Sequence, residues 1–82
     1  MLSEPEVRRL YDKVLGNVIE DLTIAGAEPQ TIDLVRTRGV GVIESVSASM
    51  FRSSQNMTLW SRLILNIGIG IAYEKVLGIG SK

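Results

Sequence analysis

Between Arg62 and Glu74 the chain runs eleven residues, Leu63 to Tyr73, without a charge. Leu63, Ile64, Leu65, Ile67, Ile69, Ile71 and Ala72 leave this stretch almost no polar face, and a helix that is apolar all round has to be buried on all sides. A bilayer span takes about 20 such residues, so a simple transmembrane reading fails. A chain of 82 residues buries only about 60 % of its unfolded surface, too little to enclose a terminal helix completely. The expectation is one helical domain, residues 1–82, whose last helix is covered by oligomerisation. A lesser reading makes Ile67-Gly68-Ile69-Gly70-Ile71 a strand, since isoleucine favours pleated surfaces and glycine often marks close backbone approach.

The first segment is the plainest. Val7, Leu10, Tyr11, Val14, Leu15, Val18, Ile19 and Leu22 recur at three-and-four spacing, with Arg8, Arg9, Asp12, Lys13, Asn17, Glu20 and Asp21 on the other face, which predicts an amphipathic helix. Ser3 with Glu6 forms a capping box, and Pro5 falls in the first turn, where a missing N–H costs nothing. Gly26 suits the left-handed residue that ends a helix, and Ala27-Glu28-Pro29 reads as a turn and a new start. The connection is short, so the next element is expected to run back antiparallel, giving a helical hairpin.

The second segment, Gln30 to about Ser53, fits two periods. Ile32, Val35, Val42, Ile43, Val46 and Met50 suit a helix, while Val40, Val42, Val46, Ala48 and Met50 suit alternation. Gly39 and Gly41 each weaken a helix interior by roughly 1 kcal/mol relative to alanine. A helix with a weak point near Gly39 is the favoured reading. Arg52-Ser53-Ser54-Gln55-Asn56 then makes the second turn, and a third helix begins near Asn56 or Thr58. The fold class expected is all-α, a hairpin plus a third, strongly apolar helix. One echo runs through it: Tyr11-Asp12-Lys13-Val14-Leu15-Gly16 returns as Tyr73-Glu74-Lys75-Val76-Leu77-Gly78. Coincidence in a chain rich in Ile, Leu, Val and Gly outweighs a shared packing environment as the explanation.

The chain has no cysteine and no histidine. Thiolate and imidazole metal sites, cysteine nucleophiles and histidine bases are thereby excluded. Glu20 with Asp21, or Glu44 near Ser45 and Ser47, lack a base or cleft to make them catalytic and read as helix-surface or capping residues. Gly68-x-Gly70 and Gly78-x-Gly80 fall short of a dinucleotide fingerprint, which needs a third glycine and a strand before it. No enzyme, cofactor or metal is expected. The start, MLSEPEVRR, is charged and has no apolar core of a secretory signal, so a cytoplasmic or virion-associated placement is expected.

Net charge is zero but unevenly laid out. Residues 1–30 carry a net −3, residues 31–62 a net +2, and the remainder a net +1. The basic stretch is all arginine, Arg36, Arg38, Arg52 and Arg62, set among Ser, Thr, Gly, Gln and Asn. Arginine grips phosphate oxygens bidentately, and neutral donors add to it without base preference, so these four are the candidate nucleic-acid-binding residues. A solvated face paired with the acidic first helix explains them equally well. Trp60, Ile64, Ile67, Gly68, Ile71, Ala72 and Tyr73 are the candidate interface residues: Gly68 and Ala72 form a small-xxx-small pair that lets helices approach closely. For Trp60, ordinary core burial is the stronger alternative.

Leu10-Tyr11, Leu15-Gly16-Asn17, Asp21-Leu22, Gly26 and Leu34-Val35 together resemble the N-terminal helical hairpin of the small subunit of general transcription factor IIA. The resemblance covers at most the first half of the chain and implies a four-helix bundle shared with a larger subunit. That family continues into strands of a β-barrel, which Leu63 to Gly80 does not resemble.

The reading that joins these observations is a non-enzymatic structural subunit of a homo-oligomer, of filament or virion-coat type. Its arginines would face a packaged nucleic acid. A helical interaction or transcription-regulatory module and a membrane-associated small subunit are the alternatives.

Overall fold

The computed structural model describes residues 3–45 and 57–79. It is all-helical, with no strand among the described residues: α1 is Glu4–Ile24, α2 is Pro29–Arg38, a 3₁₀ segment spans Val40–Ser45, and α3 is Met57–Leu77.

α1 starts as its sequence predicts. The Ser3 hydroxyl accepts from the Glu6 amide at 3.4 Å, and the Glu6 carboxylate accepts from the Ser3 amide at 3.2 Å and from its hydroxyl at 2.9 Å. These bonds hold the Glu6 carboxyl below the usual carboxylate range. At the far end Gly26 has φ 85°, the Ala27 amide donates back to the Leu22 carbonyl and the Gly26 amide to that of Thr23. This double closure is a Schellman motif, and only glycine takes that φ without strain. α3 ends in the same way: Gly78 has φ 69°, with Ile79 bonded to Glu74 and Gly78 to Lys75. Gly78 is therefore a helix stop, whereas Gly16, its counterpart in the echo, lies inside α1. The echo extends to burial no better, since Glu74 is buried and Asp12 exposed.

α2 opens on Pro29 and stops at Arg38 instead of running on toward Ser53. Gly39 takes φ 95° and ψ 173°, and the chain tightens into the 3₁₀ turn. The part of the expected second helix beyond Ser45, and the turn at 52–56, lie outside the described residues. The favoured helix wins over the strand at 67–71, which is continuous α3.

The main packing partner of α1 is α3, not α2. The two run antiparallel: Tyr11 meets Glu74 near one end, and Asp21 meets Arg62 near the other. Val18, Leu22, Val35, Val40, Ile43, Trp60 and Leu63 form the buried core, drawn from all four elements. Gly70 is what lets the 3₁₀ segment approach, because a Cβ there would stand 2.6 Å from Val40 Cγ2 and 3.5 Å from Val14 Cγ1.

Among the described residues, α3 is covered on one side only. Leu59, Trp60, Leu63, Gly70 and Glu74 are buried, and Ile67, Ile71 and Tyr73 are half-buried. Ile64, Leu65, Gly68, Ile69, Ala72 and Val76 face outward. No helix among the described residues is long and apolar enough to cross a membrane.

Candidate functional site

Two carboxylates sit on buried stripes of otherwise apolar helix faces. Asp21 follows Val18 by three positions on α1, and Glu74 follows Gly70 and Ile71 at helical spacing on α3. Each is only 4 % exposed, and each has partners. Asp21 receives a bidentate clasp from Arg62, Nε to Oδ2 at 3.0 Å and Nη2 to Oδ1 at 2.8 Å. The pairing raises the already high Arg62 pKa.

Glu74 accepts at one oxygen, Oε2, from both the Tyr11 hydroxyl at 2.6 Å and the Val40 amide at 2.7 Å. Its other oxygen lies beside Gly39 and Gly41. One carboxylate thus ties α3 to α1 and to the break after α2. Burial first, then the hydrogen bond to Glu74 and its charge, push the Tyr11 hydroxyl well above the ordinary tyrosine range. A free tyrosine ionises near pH ~10, and a folded-state pKa raised above that value makes the neutral phenol a source of stability. The contribution is complete below about pH 10 and is lost as pH rises beyond it. Thermal melts are expected to fall steeply above about pH 10. Tyr11→Phe, weaker at neutral pH, should show a flatter decline over the same window.

The four arginines of the basic stretch do not act together. Arg36 and Arg38, in the last turn of α2, line a cleft of about 270 Å³ with Arg8 and Asp12 of α1. Arg62 is held by Asp21, ten residues along α1 from Tyr11, or about 15 Å of helix rise. Arg52 lies outside the described residues. Arg8 belongs to the acidic first helix and gave no sign of this role in the sequence, nor did Glu74 and Asp21 of theirs. The sequence pattern sets Asp21 on the polar face of α1, whereas folding buries it against Arg62 of α3; Glu74 and Arg8 are likewise unmarked.

Of the interface candidates, Trp60 is buried in the core of its own chain, Ile67, Ile71 and Tyr73 are half-covered by it, and Ile64, Gly68 and Ala72 are exposed. The small residue in a close intrachain approach is Gly70, while Gly68 has open space where a Cβ would stand. Leu65 and Val76, 63 % and 69 % exposed, belong with the outward residues, although their sequence context does not mark them. Among the described residues no cluster of acids could hold a metal ion.

Comparison with protein families, with curated proteins and with solved structures finds no match. The likeness of the first half to the transcription-factor hairpin accordingly gains no support from a family match.

Proposed function

We propose that the protein is a small, non-enzymatic structural subunit that self-assembles, with the outer face of α3 as its contact surface. The observation that supports this reading is the uncovered stripe of Leu65, Gly68, Ile69, Ala72 and Val76, which repeats at helical spacing on one side of α3 with no charge among them. Large residues alternate with small ones along it. A second copy laid antiparallel can therefore set its large side chains over the small positions of the first, and a self-complementary patch is what a two-fold contact requires. Glycine and alanine at the centre permit close helix approach. A two-fold contact alone closes at a dimer; in a filament or coat, which needs a second contact to propagate it, the arginines of each subunit would repeat along the assembly, so that weak contacts with nucleic acid add up through multivalency.

Light scattering with size-exclusion chromatography on the 9.0 kDa chain tests the contact. The unaltered chain is expected to elute as a multimer. Leu65→Lys with Val76→Lys, both at exposed positions outside the core, should leave the helical circular dichroism intact and return the chain to a monomer. A wild-type chain that stays monomeric at about 100 µM, where contacts tighter than roughly −5.5 kcal/mol would show, overturns the reading and directs this face to a different protein.

A further inference from the structure

We propose that the cleft between the N-terminal part of α1 and the end of α2 is a phosphate-binding site, in which Arg8, Arg36 and Arg38 grip the oxygens of one phosphate group. Three arginines from two helices line this cleft, and Asp12 is the one acidic residue among its lining residues. Asp12 does little to neutralise them: it reaches Arg8 at 4.0 Å, with both side chains more than half exposed, a geometry worth little in water. Arg36 and Arg38 make no ion pair among the described residues. Glu74 stands behind Gly39, its Oε2 already taken by the Tyr11 hydroxyl and the Val40 amide.

The neighbouring hydroxyls narrow the chemistry. Tyr11 spends its proton on Glu74, and Thr37 donates back to the Asp33 carbonyl at 2.9 Å. The arginines are thus the donors that the cleft offers an anion. A carboxylate presents two oxygens and fills one guanidinium fork, whereas phosphate presents enough oxygens for several. The cleft volume, about 270 Å³, admits a phosphate or a pyrophosphate. That phosphate could be free or part of a nucleic-acid backbone, and the two sources share the same contacts. The site is complete within one chain, so it does not depend on self-assembly.

The test is titration of the full chain with inorganic pyrophosphate and, separately, with a random-sequence DNA duplex, followed through the amide resonances of Thr37, Arg38 and Gly39. Arg8→Gln, Arg36→Gln and Arg38→Gln are each expected to weaken binding roughly tenfold, as loss of a charge-assisted hydrogen bond does. Arg9→Gln, which removes an equal charge outside the cleft, should change it much less. For the duplex, the slope of log affinity against log salt should drop by about 0.9 for each phosphate that a substitution leaves without its arginine. Binding of both probes with this pattern supports a backbone site, and binding of pyrophosphate alone supports a site for a free phosphate compound. Absence of binding to either, or an Arg9→Gln loss equal to that of Arg8→Gln, overturns the proposal. All four variants alter exposed side chains, and circular dichroism checks that each remains folded.

Discussion

Replacing Glu74 with alanine is expected to remove about half of the stability of the fold. The side chain is buried, and its Oε2 is the shared acceptor for the Tyr11 hydroxyl and the Val40 amide. Alanine leaves both donors without a partner inside the protein. Each buried, unsatisfied donor costs about 1–3 kcal/mol, so the loss is about 2–6 kcal/mol against the roughly 4–12 kcal/mol that holds a domain of this length. Glu74→Gln keeps one carbonyl oxygen, which can take the Oε2 position and accept both bonds, and should lose markedly less. Urea denaturation of the three proteins reads the order directly: wild type, then glutamine, then alanine. Equal losses for glutamine and alanine would show that the charge, and not the shared acceptor, holds the three elements together.

The contrast between what the sequence revealed and what it hid follows from the range of the interactions. α1 was legible because its signals are local: the Ser3–Glu6 box, the apolar periodicity and Gly26 lie within the helix they define. α3 was legible as a helix despite its isoleucine-glycine alternation. Its uncovered side was not, because which half of an all-apolar helix finds partners depends on where α1 lies. The end of α2 was half visible. Two glycines announced weakness near residue 39, but nothing adjacent showed that only one of them takes a positive φ, since the group that fills the space beside it comes from α3. The arginines illustrate the same limit. Grouping by proximity in the chain joined Arg62 to Arg36 and Arg38, while folding gave Arg62 to Asp21 and brought Arg8 to the other two.

That difference between neighbouring glycines leads to opposite outcomes for one chemical change. Gly39→Ala is expected to destabilise strongly. At φ 95° and ψ 173° the backbone occupies a region nearly closed to residues with a Cβ, at a cost of about 1–3 kcal/mol. The added methyl would also stand 2.8 Å from Glu74 Cδ and closer still to Oε2, so the buried carboxylate has to shift and its bonds to Tyr11 and Val40 suffer with it. Gly41→Ala meets only ordinary contacts, Glu74 Oε1 at 3.6 Å and Ile71 Cγ1 at 3.9 Å, and Gly41 has no positive φ. Restricting the unfolded chain at such a position stabilises by about 0.4–1 kcal/mol. Thermal melts of the two variants should therefore move to either side of the wild type. A second comparison isolates the steric part: in a Glu74→Gln background the amide still fills the space beside residue 39, so Gly39→Ala should remain costly, whereas in Glu74→Ala only the backbone strain should persist. An unchanged cost in that last background would assign the whole effect to φ and remove the carboxylate from the account of why α2 ends where it does.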